Sequence, residues 1–197
     1  MAECVVLERD AYGTDVRARV RVQQPGTASA CVKNLLRHAL MADVSAQAAT
    51  HVTFHRFECP VEDELISLRL GQLAVRGDTP YAFRIRKTAP ADAPLTWVTS
   101  DDIEDPQNRV VKPLSGRFML APLLRGAALD VECHTQAGTG RKHTMWNNVH
   151  VAREEEDVFL LETTGALGCR AAWNQAIDAS IAAMAFFFSA TPKPLPL

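Results

Sequence analysis

The sequence lacks an excess of charge of either sign. Its 197 residues carry 21 Lys and Arg against 23 Asp and Glu, a formal net charge of -2. Nucleic-acid backbones and anionic membrane surfaces usually bind proteins with a large basic excess. The composition therefore gives no reason to expect strong direct DNA binding, although it does not exclude a nucleic acid as a partner.

Closely spaced cysteines are also missing. The five cysteines are odd in number, far apart and without a C-x-x-C motif; they are Cys4, Cys31, Cys59, Cys133 and Cys169. Disulfide frameworks and structural zinc sites use paired, closely spaced cysteines. We therefore expect reduced thiols in an intracellular protein.

The sequence contains no apolar run long enough to cross a bilayer. Residues 1–13 include Glu3, Glu8 and Arg9, where a signal peptide needs an apolar core of about 7 to 15 residues. The most apolar stretch, 176–190, is interrupted by Asp178, and about 20 apolar residues are needed for a span. We expect no secretion signal and no membrane partner, and interpret 176–190 as a buried helix, with a tail anchor as the alternative.

Hydrophobic periodicity predicts an α+β chain, because alternating segments indicate strands and three- or four-residue spacing indicates helices. The predicted elements are a hairpin over 4–22, a helix over 32–43, a strand over 48–58, a helix closed by Gly71, short strands over 80–151, a strand at DVFLLETTG and a helix over 168–188. The last helix has a wider apolar face than a surface helix needs. Either its own chain or a partner protein must cover the second half of that face.

Residues 138–144, GTGRKHT, combine glycines with cations as phosphate-binding loops do. A phosphate loop has consecutive Gly-Lys-Ser/Thr opening a helix, and Arg141 interrupts that order. We interpret the segment as a glycine-rich turn whose cations face solvent or a partner. A small nucleotide-binding enzyme that uses Gly138–Thr144 is the alternative.

No other segment predicts a catalytic residue, a cofactor site or a metal site. His51, His55 and Cys59 would lie on one side of a strand and spread over about 26 Å, too far to share a metal ion. The acidic runs at 101–105 and 154–157 predict solvated loops, because consecutive carboxylates point in alternating directions and repel one another.

Residues 34–71 contain a spaced pattern that begins with Asn34 and Arg37 and ends with Arg69-Leu70-Gly71; its other members are Ala48, Val52, Asp63, Glu64 and Ile66. This pattern resembles the signature of the RNA polymerase α-like subunits, which include bacterial α, its archaeal counterpart and the eukaryotic third-largest subunit. Further segments resemble the family in the same order, namely VTSDDI at 98–103, VVKP at 110–113, GTGRKHTMWNNV at 138–149 and DVFLLETTGAL at 157–167. His38 departs from the pattern, because the family has a second Arg there.

The resemblance implies a discontinuous dimerisation domain, 1–50 and 150–197, built from the hairpin, the first helix and the last helix. A β-rich domain, 51–149, is inserted into it. The implied function is a non-catalytic assembly subunit of a multisubunit DNA-directed RNA polymerase, located in the cytoplasm or nucleus, or in a virion if the source is viral. Its implied partners are a second α-like subunit, as a heterodimer rather than a homodimer, and the second-largest polymerase subunit.

Two sets of site residues follow from the resemblance. The expected docking residues for the second-largest subunit are Asn34, Arg37, Arg69, Gly71, Lys142, His143 and Trp146. The expected dimerisation residues are Leu36, Leu40, Trp173, Ile177, Ile181, Met184 and Phe188.

Overall fold

The computed structural model describes residues 2–10, 12–22, 30–112, 117–155 and 158–189. The strands in these ranges are β1 (Ala2–Arg9), β2 (Asp15–Val22), β3 (Ser45–Phe57), β4 (Ala82–Thr88), β5 (Leu95–Thr99), β6 (Ile103–Glu104), β7 (Met119–Leu124), β8 (Ala128–Thr139), β9 (Val149–Glu155) and β10 (Val158–Thr163). The helices are α1 (Ala30–Ala42), α2 (Asp63–Gly71) and α3 (Cys169–Ser189). The α+β class is confirmed. No helix in the described ranges is long and apolar enough to span a membrane.

The first sheet joins the two ends of the chain in the order β1-β2-β10-β9. The predicted hairpin forms, since Cys4 pairs with Val20 and Val6 with Ala18 across β1 and β2. The alternating pattern of β2 buries Ala18 and Val20 and exposes Arg17, Arg19 and Arg21. Helices α1 and α3 pack against each other, α3 contacts β2 and β10, and α1 contacts β9. Their shared core is Ala18, Val20, Ala39, Leu40, Val44, Val149, Phe159, Leu161, Cys169, Ala172, Trp173 and Ala176.

The second core belongs to the middle of the chain. It lies between a four-stranded sheet in the order β3-β8-β4-β6, the ribbon β5-β7, and α2, which contacts β3 and β7. Its largest fully buried side chains include Ile66, Leu70, Ile85 and Leu123. Both cores are therefore apolar, and separate sets of elements build them.

Two predicted features of the middle section differ from the structure, and a third stays untested. VVKP does not form a strand in the described residues, because Val110 makes only a single bridge to Val75. Strand β8 extends to Thr139 and includes the first glycine of the predicted turn. Strand β3 spans 45–57 and crosses the predicted domain boundary at residue 50, so the division into domains remains a prediction.

A group of charged side chains around Arg76 joins the two cores. Arg76, which precedes β4, donates to the carboxylate of Asp10 in the hairpin turn and to the carbonyl oxygen of Gly165 at 3.0 Å. Asp10 also accepts from the backbone N–H groups of Tyr12 and Thr14. The Arg76 guanidinium lies 3.9 Å from the ring centre of Tyr12. We call this group the Arg76 junction.

Candidate functional site: docking and dimerisation surfaces

The end of β8 and the tight turn that follows it, together residues 138–147, lead to β9, and two glycines make their packing possible. A Cβ on Gly138 would lie 2.4 Å from the indole ring of Trp146, which is buried and donates from Nε1 to the carbonyl oxygen of Gln136 at 3.0 Å. A Cβ on Gly140 would lie 2.6 Å from the carbonyl oxygen of Met41 at the end of α1. Protein atoms therefore fill the space beside both glycines, where a phosphate loop would hold its ligand.

The charged residues of this turn contact protein groups. Arg141 makes a bidentate ion pair with Asp43, with N–O distances of 2.8 and 2.9 Å. The Nζ of Lys142 lies 5.3 Å from the ring centre of Trp146. His143 accepts at Nδ1 from the N–H of Met145, so its neutral form carries the proton on Nε2. Lys142 and His143 are both exposed, which makes their polar atoms available to a partner.

Helix α1 continues this surface. Asn34 is exposed, and Arg37 is half-buried, with Nη1 3.5 Å from the sulfur of Met41 and Nη2 3.3 Å from Nε2 of His38. The Asn147 amide is assigned the orientation that satisfies both of its ends, in which its nitrogen donates to the carbonyl oxygens of Met41 and Val149 at 3.2 and 3.1 Å. Arg37 therefore contacts Met41, one helical turn further along α1, and Met41 in turn lies against the 138–147 segment.

Helix α2 meets the same turn from the other side. Leu68, Gly71, His143, Met145 and Asn147 line a pocket of about 340 Å³ between them. A Cβ on Gly71 would lie 3.4 Å from the carbonyl oxygen of Ala49, an ordinary contact distance. We define the junction surface as Asn34, Arg37, Lys142, His143 and the exposed rim of this pocket.

Two expected docking residues have other positions. Arg69 lies on the opposite side of α2 and donates from Nη1 to the carbonyl oxygen of Leu120 in β7 at 2.9 Å. Trp146 is only 5 % exposed and supports the turn from within. Gly71 and His143 line one pocket, and Arg37 contacts Met41, whose carbonyl oxygen lies beside Gly140 in the turn that carries Lys142. Asn34 lies on α1, three residues before Arg37. Contact of these residues with a partner stays a prediction.

The expected dimerisation residues fall into three groups. Leu40 and Trp173 are buried in the core of this chain, and Leu36 and Ile177 pack half-buried against it. Ile181 and Met184 are exposed, with 56 % and 38 % of their surfaces accessible. The side chain of Phe188 lies outside the described residues.

Sequence reasoning missed the extent of exposure at the end of α3. All six consecutive residues from Ile181 to Phe186 are exposed, and all six are apolar. Phe186 is 77 % exposed, although it was not among the expected dimerisation residues. The apolar period could not identify this segment, because a helix that is apolar on every side has no polar face to mark the boundary.

The acidic run at 101–105 is not the solvated loop that we expected. Asp102 accepts from Lys87 Nζ at 2.7 and 2.8 Å and from the N–H of Thr99 at 2.8 Å. Burial alone would raise the pKa of Asp102, but the hydrogen bond from Lys87 and that from Thr99 outweigh it and lower the pKa. Asp105 accepts from the Tyr81 hydroxyl and the Val110 N–H. For Asp102 and Asp105 the expectation was wrong, because Lys87, Tyr81 and Val110 supply partners that the local pattern does not show. Asp101 and Glu104 are exposed. The side chains of 154–157 lie outside the described residues.

The histidines of β3 lie on its exposed side. His55 Nε2 is 3.2 Å from one carboxylate oxygen of Glu132, and His134 is 3.1 Å from the other. The described ranges contain no group of three His, Cys, Asp or Glu residues placed to hold a metal ion.

The fold is α+β, and the described surface includes the polar junction surface and an exposed apolar end of α3. No family model matches the chain. It is similar to the DNA-directed RNA polymerase subunit Rpo3 of Picrophilus torridus, at 27% identity over 145 residues. The match covers 58% of this chain and 52% of that protein, so the chain spans about half the length of its relative. This distant, partial similarity supports a relationship to RNA polymerase α-like subunits.

Proposed function

We propose that this chain is a non-catalytic α-like assembly subunit of a multisubunit DNA-directed RNA polymerase. The observation that carries the proposal is the uncovered apolar end of α3, in a chain whose sequence is similar to an RNA polymerase subunit. In this proposal the core formed by both chain ends is the dimerisation domain and the middle core is the insert. The protein is intracellular.

The end of α3 is the proposed dimerisation surface. Ile181, Met184 and Phe186 expose apolar area on α3, which packs against α1, and Val32 on α1 is 42 % exposed. Full burial of one such side chain contributes about 1.5–3 kcal/mol, so covering three of them favours association strongly. The partner is a second α-like chain, and the resemblance of residues 34–71 to the archaeal and eukaryotic type favours a heterodimer.

The junction surface is the proposed docking site for the second-largest subunit. At the edge of the junction surface, Arg37 has a planar guanidinium group that suits a carboxylate of the partner. Lys142 and His143 present exposed polar atoms on the adjacent turn. Gly71 and Trp146 support this surface by packing, and Arg69 fixes α2 on β7. Nucleotide binding by the 138–144 turn has no comparable support, because protein atoms fill the space beside its glycines.

Dimerisation is tested by affinity purification of the tagged chain from its source, followed by intact-mass measurement. We expect a second α-like chain and the large polymerase subunits to be recovered with it. The double variant Ile181→Glu, Met184→Glu should lose the α-like partner. The matched control Leu7→Glu, at a residue of similar exposure on the first sheet, should retain it. Recovery of a lone 21.6 kDa monomer would contradict the proposal.

Docking is tested separately with Arg37→Ala. This variant should retain the α-like partner and lose the second-largest subunit, because it removes a charged donor from the junction surface alone. The control Arg17→Ala removes an arginine that pairs with Glu162 on the outer face of the first sheet, and it should retain both partners. Equal recovery of the second-largest subunit by both variants would exclude the junction surface as its docking site.

A further inference from the structure

A second concave site lies between the end of α2 and the start of β7. It has a volume of about 390 Å³, within the range of ligand-binding pockets. Arg69 and Arg117 contribute two guanidinium groups to its wall, and Leu73, Phe118 and Met119 contribute apolar surface. No carboxylate belongs to the described residues that line it, and the carboxylate of Asp101 pairs with Arg117 from outside the lining. The site therefore combines positive charge with an apolar wall.

Both guanidinium groups have hydrogen-bonding capacity left. Arg69 uses Nη1 for the carbonyl oxygen of Leu120. Arg117 pairs through Nε with Asp101 at 2.6 Å, and its side chain is still 66% exposed. In the described part of the chain, the other N–H groups of these two arginines have no partner. Planar guanidinium groups bind carboxylates bidentately, which points to a carboxylate as the polar part of the ligand.

The apolar wall continues beyond the pocket. Phe118 and Met119 are 43% and 54% exposed, and the outer face of the ribbon β5-β7 extends from them with Trp97, Leu95 and Leu124. The alternate residues Val98, Ala121 and Leu123 are buried in the second core, so only one face of the ribbon is uncovered. Five residues of strand give this face a length of about 17 Å.

We propose that this site binds a segment of a partner polypeptide, with a carboxylate in the pocket and apolar side chains along the ribbon. A polypeptide fits better than a small amphipathic acid, because the uncovered face extends well beyond the pocket. A second copy of this chain fits poorly, since it would bring the same arginines against each other. The site shares only Arg69 with the expected docking residues and does not depend on the polymerase assignment.

The test uses the purified full chain and a fluorescein-labelled synthetic peptide, Glu-Leu-Thr-Leu-Thr-Leu-amide, in a fluorescence anisotropy titration. A second peptide has Gln in place of Glu. We expect saturable binding of the first peptide and binding of the second that is about tenfold weaker, as the loss of one charge-assisted hydrogen bond implies. Arg117→Gln should weaken binding of the Glu peptide by the same factor and leave binding of the Gln peptide unchanged. Equal binding of the two peptides, or no saturable binding, would overturn the proposal.

The apolar face is tested with Met119→Glu, which should weaken binding of the first peptide at least tenfold. Leu7→Glu introduces the same charge at a similarly exposed residue on the other sheet and should leave binding unchanged. Circular dichroism of each variant checks that the fold is retained. If octanoate binds as tightly as the peptide, the ligand is a free acid and the polypeptide proposal is wrong. If Met119→Glu instead abolishes self-association in sedimentation, the face binds a second copy and the proposal is again wrong.

Discussion

Gly138→Ala should destabilise the protein through a single contact. Gly138 lies in β8 opposite Ala46, and a Cβ there would lie 2.4, 2.5 and 2.8 Å from three indole carbons of Trp146. Contacts this short require the indole to move. Trp146 is 5 % exposed, so it has little space into which it can shift. The substitution therefore overpacks the place where the turn meets the sheet.

The expected magnitude has three parts. Overpacking a well-packed site costs about 1–3 kcal/mol. Displacing the indole also weakens its 3.0 Å hydrogen bond to Gln136, a loss of about 0.5–1.5 kcal/mol. Replacing glycine by alanine also lowers the conformational entropy of the unfolded chain, which stabilises the folded protein by about 0.4–1 kcal/mol. The net loss is about 2 kcal/mol, which lowers the melting temperature by about 4–8 °C in a protein of this size.

The measurement is a double-mutant cycle by thermal and urea unfolding. In a Trp146→Leu background the three indole carbons are absent, so Gly138→Ala should become neutral or stabilising. A cost that is the same in both backgrounds would refute the packing explanation. An unchanged melting temperature for the single variant would refute it as well.

Three further predictions concern buried charges and thiols. Asp10→Asn should lower the free energy of unfolding in urea by about 3 kcal/mol, because it leaves Arg76 without its buried charged partner. Asp15→Asn, which removes the exposed ion pair with Arg9, should lower it by less than about 1 kcal/mol. Equal losses for the two variants would contradict this prediction. The pKa of Asp102 is lowered from its ordinary 3.8, so its stabilisation is present above that pH and is lost as the pH falls through the folded pKa. The stability difference between wild type and Asp102→Asn should therefore shrink below about pH 4, and a constant difference down to pH 2 would contradict the ion pair. Burial raises the pKa of Cys133 to about 12 and that of Cys169 to about 11. Iodoacetamide at pH 8 should therefore modify both thiols only when urea unfolds the protein, which peptide mass spectrometry would detect. Rapid modification of either thiol in the native protein would contradict this prediction.

The local elements could be predicted from the sequence because each has its own apolar period. Alternation from Val16 to Val22 specified β2, and the spacing of Leu36, Ala39 and Leu40 specified α1. Strand order could not be predicted in this way. Strand β2 pairs with β10, more than 130 residues later, and alternation within either strand carries no information about that partner.

The site was harder to predict because its residues depend on distant contacts. Glycine at position 138 indicated a loop, whereas the structure places it in a strand that a distant indole covers. Asp102 and Asp105 belonged to a run that looked solvated, and their partners Lys87 and Tyr81 come from another part of the middle section. A sequence pattern gives spacing along the chain but no distance between such groups.

The position of the junction surface changes how a docking partner would depend on this protein. Arg37 lies on α1, which contributes to the core formed by the chain ends, whereas Gly71 lies on α2, which contributes to the middle core. A partner that contacts both needs the two cores in a fixed relation. The Arg76 junction, the Arg141–Asp43 ion pair and the close approach of Gly140 to α1 supply that constraint from separate points. Substitutions at Asp10 or Gly140 would therefore weaken docking without touching the partner, so mapping the surface requires stability and binding to be measured on the same variants.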